Sequence, residues 1–250
     1  KLDSLSDILD KVADSEKEHT ILSVMAANNE TGVLQPVEKI SEMALRTGIA
    51  FHSDMVQFFG KRNINFTNSQ ISYATISAHK IGGPTGVGAL LVRSGCQVKS
   101  LFRGGGQERG SRAGTENLVG IAGFGGAVKD AFDDIGHYKK MAAWRDAFEK
   151  QILAERSGVK VFGKTAERLG NTSCVAVAGR LAENMVIAFD LAGIAVSAGA
   201  ACSSGKIQPS HVLKSMGFVS RSHEAIRISG GWATMKSDFE VLADVFLRLY

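Results

Sequence analysis

Polar side chains that could take part in chemistry follow three apolar runs of the sequence. They are Asn28 after residues 20–26, Asp54 after residues 49–52, and the pair His79 and Lys80 after residues 71–77. In open α/β sheets ligands bind outside the carboxyl ends of the strands, so a single crevice could collect all of these groups. An amine, a carboxylate and hydroxyl or imidazole donors form the set that pyridoxal 5′-phosphate requires. The amine bonds to the cofactor covalently, and the carboxylate keeps the pyridine nitrogen protonated.

Each of these residues also has an ordinary structural interpretation. A lysine after a strand is most often a solvated surface residue, and an aspartate at a strand end commonly caps a helix. His79 fits a loop histidine, Gln57 fits a helix surface, and the glycines after Lys80 fit turns. The spacing alone leaves both interpretations open.

Alternating apolar runs and helical patterns predict the elements that would position these groups. Over the first half of the chain the alternation predicts an α/β fold with a mostly parallel sheet. A polar, glycine-rich connection over residues 103–116 leads into helical sequence over residues 117–155, and the shorter strands and helices that follow predict a smaller α+β domain. We place the boundary near Gly136, with residues 1–135 in the larger domain and residues 136–250 in the smaller one.

Composition and charge exclude several classes of protein. Lys and Arg number 29 against 25 for Asp and Glu, and the net charge of +4 is spread along the chain, which argues against a dedicated nucleic-acid face. No apolar run approaches the ~18 residues of a membrane span, so the sequence predicts a soluble protein. Cys96, Cys174 and Cys202 are widely spaced and form no C-x-x-C motif. This spacing favours neither a disulfide framework nor a metal site, and it indicates a reducing compartment.

Several short segments carry a specific family pattern. In order they are residues 27–32 (ANNETG), 52–57 (HSDMVQ), 77–84 (SAHKIGGP), 105–117 (GGQERGSRAGTEN), 200–205 (AACSSG) and 209–213 (PSHVL). They resemble the signature segments of cysteine desulfurases of the NifS/IscS type, which belong to the class V aminotransferases. The resemblance implies the type I fold of pyridoxal-phosphate enzymes, with helices on both faces of a mostly parallel sheet and a smaller C-terminal α+β domain.

The same resemblance implies how the cofactor is held. Lys80 corresponds to the lysine that forms the Schiff base, and Asp54 corresponds to the partner of the pyridine nitrogen. The remaining cofactor contacts would be Gln57 to the phenolic oxygen, Ser77 and His79 to the phosphate, and Thr115 to the phosphate bound by the other subunit of a homodimer.

The substrate and sulfur positions follow from the later motifs. Asn28 and Arg227 correspond to the pair that holds the substrate carboxylate, a role that suits arginine because its planar fork matches two carboxylate oxygens. Cys202 lies in a run of small residues, 197–205. Taken alone it is either an inert buried thiol or a nucleophile. In the family pattern its thiolate accepts sulfur as a persulfide, alanine is released, and a mobile loop carries the sulfur to an acceptor.

Other features of the sequence compete with this interpretation or depart from it. Residues 158–165 (GVKVFGKT) fit the written P-loop pattern, but their middle residues alternate like a strand, which disfavours nucleotide binding. Trp232 and Gly230 stand where many family members have other residues. The family also has a long segment before the position of Lys1, with a phosphate-loop threonine and a ring-stacking histidine, so we expect this chain to be a fragment.

The sequence therefore predicts a pyridoxal-phosphate-dependent cysteine desulfurase that supplies sulfur for iron–sulfur cluster assembly or another thiolation route. Its expected partners are L-cysteine, a second copy of the chain, and an iron–sulfur scaffold or other sulfur-acceptor protein, with no membrane and no nucleic acid. The expected location is the cytoplasm, or the mitochondrial matrix in a eukaryote. A catalytically silent fragment, a selenocysteine lyase and an aminotransferase stay open as alternatives, although Cys202 in its motif disfavours the last.

Overall fold

The first part of the chain alternates helices with the strands of one sheet. The computed structural model describes residues 2–199 and 208–250. The elements of the first part are α1 (Leu2–Leu9), α2 (Asp14–Lys17), β1 (Ile21–Met25), α3 (Val37–Thr47), β2 (Ala50–Asp54), β3 (Tyr73–Ser77) and β4 (Gly88–Val92). A short 3-10 helix (Ala78–Ile81) follows β3 directly, and a second one covers Gln107–Gly110.

The first sheet has the strand order β1-β2-β3-β4. Strands β1, β2 and β3 run parallel, and β4 pairs antiparallel with β3. Helix α3, which connects β1 to β2, buries Val37, Ile40 and Ala44 at helical spacing. It ends at Gly48, which has a φ of 75°. The connection brings β2 beside β1 in the same direction, so the carboxyl ends of the first three strands share one edge of the sheet.

The first part ends with a long helix, α4 (Leu118–Asp133), and the second part begins with another and contains an antiparallel sheet. The elements of the second part are α5 (Ile135–Glu155), β5 (Val159–Phe162), β6 (Thr172–Val177), α6 (Ala182–Leu191), β7 (Ser197–Ala198), α7 (His211–Ser215), β8 (Ala225–Ser229) and α8 (Lys236–Leu249). A short 3-10 helix covers Val219–Arg221. The strand order is β5-β6-β8-β7, with every neighbouring pair antiparallel, and every residue of β6 is buried.

Helices α5 and α8 supply much of the apolar core around this second sheet. Tyr138, Met141, Phe148 and Ile152 recur at intervals of three to seven residues along α5, so they lie on one stripe of that helix. They pack with residues of β6, β8, α6 and α8, where Phe246 is fully buried. Burial of this stripe explains why a polar 21-residue segment forms a stable helix.

The predicted α/β architecture with a mostly parallel first sheet and a smaller α+β part is confirmed, and several element boundaries shift. Strand β2 extends to Asp54, so this aspartate is the last residue of a strand and does not follow it. The helical sequence of residues 117–155 forms two helices that meet at Asp134. Strand β7 and helix α7 were not anticipated, because both are too short to give a periodic pattern.

The chain separates into two compact units. The first consists of residues 1–27 and 35–135, and the second of residues 28–34 and 136–250. The short segment 28–34 is therefore part of the second unit, where Val33 pairs antiparallel with Arg168 and the amide of Leu169 donates to the carbonyl of Gly32 over 2.8 Å. Among the residues that the structure describes, no helix is long and apolar enough to cross a membrane.

Candidate active site

The first unit gathers four of the chemically interesting side chains at one edge of its sheet. We call Asp54, Ser77, His79 and Lys80 the strand-end cluster. Strands β2 and β3 are adjacent and parallel, with Asp54 opposite Thr75, and Ser77 ends β3 two residues further on. Because His79 and Lys80 belong to the 3-10 helix that begins after Ser77, they lie at this same edge. The register thus brings together a carboxylate, a hydroxyl, an imidazole and an amine.

Local hydrogen bonds hold the side chains of the strand-end cluster. Ser77 Oγ lies 2.8 Å from His79 Nδ1, which joins the two predicted phosphate ligands directly. The carboxylate of Asp54 accepts from the amide of Val56 over 2.9 Å and so starts the next turn. Gly82 ends the 3-10 helix with a φ of 85°, a conformation that favours glycine, and Lys80 is exposed.

A buried lysine lies beside this cluster and was not found by sequence reasoning. The ammonium group of Lys61 is 2.9 Å from the carbonyl oxygen of Gln57, and the residue is 6% exposed. Burial, followed by the positive charge of Lys80, lowers the pKa of Lys61 to about 8. Lys61 therefore fixes the backbone of Gln57 and adds positive charge near Lys80.

The second unit contains the two predicted substrate residues. Asn28 is buried, and its Oδ1 accepts from the amides of Glu30 and Thr31 over 3.0 and 2.9 Å. These bonds close a tight turn over residues 28–33, in which the amide of Asn28 also donates to the carbonyl of Val33 over 2.8 Å. Because Oδ1 serves the turn, Asn28 would contact a substrate carboxylate through its Nδ2 group.

Arg227 lies next to this turn in the same unit. Its Nη1 donates to the carbonyl oxygen of Asn29 over 2.9 Å, while its Nε is buried without a hydrogen-bond partner in the described residues. Arg227 faces Cys174 on β6 and Ser197 on β7, so the three side chains form a row on one face of the sheet. An arginine with an unused buried donor is chemically suited to receive an anion.

Cys174 is beside Arg227 and yet is not a nucleophile. The residue is 2% exposed, and burial, followed by the nearby Glu30 carboxylate, raises the pKa of its thiol to about 12. The thiolate is the reactive form, so Cys174 is inert at neutral pH.

A buried carboxylate and a buried hydroxyl also belong to this region and were missed by sequence reasoning. Ser210 Oγ donates to Glu30 Oε2 over 2.5 Å, although the two residues are 180 positions apart in the chain. We call Asn28, Glu30, Ser210 and Arg227 the turn cluster. Glu30 and Ser210 both lie inside segments that match the family pattern, and this membership is the only feature of the sequence that could have indicated a role for them.

The remaining predicted positions are less informative. Thr115 is exposed in the segment before α4, and its proposed contact concerns another subunit. Cys202 lies outside the described residues.

The expectation that Asn28 shares one crevice with Asp54 and Lys80 involves both units and stays a prediction. In residues 2–199 and 208–250, no group of three or more His, Cys, Asp or Glu side chains is arranged to hold a metal ion.

Comparison with known proteins assigns the chain to a family. The sequence profile of the family described as Aminotransferase class-V matches residues 4–242, and the chain belongs to this family. It is 44% identical over 226 residues to a cysteine desulfurase from Cereibacter sphaeroides, a match that covers 90% of this chain and 58% of that protein.

Solved structures agree with the sequence relatives. A NifS-like protein from Rickettsia africae superimposes with a TM-score of 0.89 at 35% identity, covering 100% of this chain and 66% of that one. A structure described as SspA in complex with cysteine gives a TM-score of 0.70 at 30% identity, over 89% of this chain and 61% of that one. The fold is thus the type I fold of pyridoxal-phosphate enzymes. The chain spans somewhat under two thirds of the length of these relatives.

Proposed function

We propose that the protein containing this chain is a pyridoxal-phosphate-dependent cysteine desulfurase. The observation that carries the proposal is the strand-end cluster, where adjacent parallel strands bring Asp54, Ser77, His79 and Lys80 to one edge of the sheet. A carboxylate for the pyridine nitrogen, hydroxyl and imidazole donors for the phosphate, and an exposed amine match what this cofactor needs. Similarity to cysteine desulfurases over nine tenths of the chain supports the same assignment.

The residues of the chain then take distinct roles. Lys80 would hold the cofactor covalently through Nζ and afterwards move the proton at the substrate α-carbon. Asp54 would face the pyridine nitrogen, Ser77 and His79 the phosphate, and Gln57 the phenolic oxygen. When bound, pyridoxal 5′-phosphate withdraws electrons from the α-carbon of an amino acid.

The substrate would be L-cysteine, held by its carboxylate between Asn28 and Arg227. The thiolate of Cys202 attacks the sulfur of the substrate, a sulfur–sulfur bond forms and the carbon–sulfur bond breaks. The β-carbon gains a proton, so the products are L-alanine and a persulfide on Cys202, with no net oxidation or reduction. The persulfide then passes to an acceptor, which for this family includes iron–sulfur scaffolds, and the active form is a homodimer to which Thr115 contributes.

The proposal is tested by measuring alanine and protein-bound persulfide after incubation of the full-length protein with pyridoxal 5′-phosphate and L-cysteine. Lys80→Ala should abolish both products and the covalent cofactor that borohydride traps, whereas Lys39→Ala, at an exposed position of α3, should change neither. Cys202→Ser should bind cofactor and cysteine and form no persulfide, and Cys96→Ser should behave as the wild type.

Three outcomes would contradict the proposal. Borohydride trapping at another lysine would refute the role of Lys80. Persulfide formation by Cys202→Ser at the wild-type rate would refute the role of the cysteine. Turnover of L-selenocysteine without turnover of L-cysteine would show that the protein is a selenocysteine lyase and not a cysteine desulfurase.

A further inference from the structure

The carboxylate of Glu30 is enclosed by protein on all sides. The residue is 1% exposed, and Ser210, which donates to Glu30 Oε2, is fully buried. The second oxygen, Oε1, is also buried and has no hydrogen-bond partner within the described part of the chain. A buried carboxylate with one unused oxygen costs free energy, because water would satisfy both oxygens in the unfolded chain. Stability alone therefore does not account for a glutamate at this position.

On one side, Glu30 belongs to the backbone that orients both predicted substrate residues. Its amide donates to Asn28 Oδ1 over 3.0 Å, and the preceding carbonyl, that of Asn29, accepts from Arg227 Nη1 over 2.9 Å. Any movement of residues 28–30 would thus turn the Asn28 side chain and release Arg227. Fixing the side chain of Glu30 fixes both.

On the other side, Glu30 reaches a buried anchor. The Ser210 hydroxyl that donates to Glu30 also accepts from the amide of Leu213 over 3.0 Å, as the N-cap of α7. The Ser210 amide donates to the carbonyl of Ser222 over 2.9 Å, and Leu213 is fully buried. The hydroxyl is therefore oriented by its own helix, and it holds the carboxylate in one direction.

We propose that Glu30 is a positioning residue for recognition of the substrate carboxylate, which it achieves by clamping the 28–30 turn to Ser210. This inference rests on the proposed function, because it takes Asn28 and Arg227 as the ligands of that carboxylate. Glu30 itself need not touch the substrate. Its removal should weaken the binding of ligands that carry a carboxylate and spare ligands that lack one.

The test compares L-cysteine with cysteamine, which has the same amine and thiol and no carboxylate. Binding is followed by the absorbance change of bound pyridoxal 5′-phosphate in a Cys202→Ser background, so that turnover does not interfere. Glu30→Ala should weaken L-cysteine at least about tenfold and cysteamine by less than about twofold, the discrimination expected when a charge-assisted contact is misplaced. Glu30→Gln should recover most of the affinity, because its amide oxygen can accept from Ser210.

Controls separate this role from a general loss of structure. Ser210→Ala removes the anchor without touching the turn and should weaken L-cysteine selectively, which keeps the test valid if Glu30→Ala does not fold. Glu38→Gln, exposed on α3, and Ser41→Ala, a buried serine of the first unit, should leave both ligands unchanged. An equal loss for both ligands, or no loss in folded Glu30→Ala and Ser210→Ala, would overturn the inference. A wild-type protein that does not respond to L-cysteine would instead overturn the proposed function, and this inference with it.

Discussion

Lys61 shows how a single buried charge alters the region around a site. Its ammonium group has the carbonyl oxygen of Gln57 as an acceptor and lies in an interior position where water cannot replace missing hydrogen bonds. The pKa of Lys61 falls to about 8 because burial disfavours the charged form. The folded protein therefore gives up this proton at a lower pH than the unfolded chain does.

The pH dependence of stability follows from that difference. Between about pH 8 and pH 10.5 the unfolded chain holds more protons on Lys61 than the folded chain, so the free energy of unfolding from this residue rises with pH. Lys61→Met should thus stabilise the protein most below pH 8 and lose its advantage towards pH 10.5. Denaturant titrations of wild type and Lys61→Met across this range, with exposed Lys39→Met as control, measure the effect. A constant difference at every pH would contradict it.

The residues at the strand ends could be predicted from the sequence, whereas the buried polar residues could not. Asp54 and Lys80 were indicated because each adjoins a recognisable apolar strand. Glu30, Lys61 and Ser210 are polar residues, for which exposure is the ordinary expectation. Glu30 and Ser210 are buried against each other across 180 residues, and no local pattern reports such a partner.

At the scale of elements, a buried ionic cluster joins α5 to the segment before β6. Arg168 donates two hydrogen bonds to the carboxylate of Glu149, over 2.8 and 2.7 Å, and Ser173 donates a third over 2.7 Å. The side chains of Arg168 and Glu149 are 3% and 2% exposed. Arg168 also forms an antiparallel bridge with Val33, so this cluster supports the end of the turn over residues 28–33.

Breaking this pair should be costly because the buried Glu149 carboxylate would keep only the longer contact to Arg145, over 3.9 Å, and the bond from Ser173. Arg168→Ala should lower the free energy of unfolding by about 3–5 kcal/mol. The double variant Arg168→Met, Glu149→Leu should lose less than Arg168→Ala alone. Lys236→Ala, which breaks the exposed pair with Glu240, should leave stability nearly unchanged. Chemical denaturation checks all three, and a double variant less stable than Arg168→Ala would show that the charges themselves contribute net stability.

Elements with a strong internal pattern could be predicted, and those stabilised by their neighbours could not. Strand β6 is apolar or small at each position, and β5 and β8 were placed correctly because they combine β-branched residues with turn residues at their ends. Strand β7 has two residues and exists through its pairing with β8. Helix α7 has five residues, too few to be stable alone, and begins where Ser210 caps it.

At the scale of the whole molecule, the second unit includes residues 28–34 from early in the chain. Within this segment Gly32 packs closely against β6, since an added Cβ would lie 2.9 Å from Thr172 Cβ, and its φ of +72° already disfavours other residues. Gly48 has a similar φ of +75° but open space around it. A residue with a side chain would therefore meet similar backbone strain at both positions, but only at position 32 would it also meet crowded packing.

Alanine at these two positions separates strain from packing. Gly48→Ala should lower the free energy of unfolding by about 1 kcal/mol, because alanine is strained in the left-handed conformation. Gly32→Ala should cost about 1–3 kcal/mol more, because the methyl group would overpack against Thr172. Denaturant unfolding of both variants, with hydrogen exchange at β6, measures the difference. Equal losses for the two variants would mean that the 28–34 segment is not packed as described.

The bonds that hold residues 28–34 also set the order in which the chain can fold. Glu30 meets Ser210 across 180 residues, and Asn29 meets Arg227 across 198 residues. Such contacts must close a very long loop, which slows folding. During synthesis at roughly 5–20 residues per second, the turn leaves the ribosome on the order of ten seconds before its partners exist. The second unit therefore cannot be completed as the chain emerges, and the early turn must stay available until Ser210 and Arg227 have been translated.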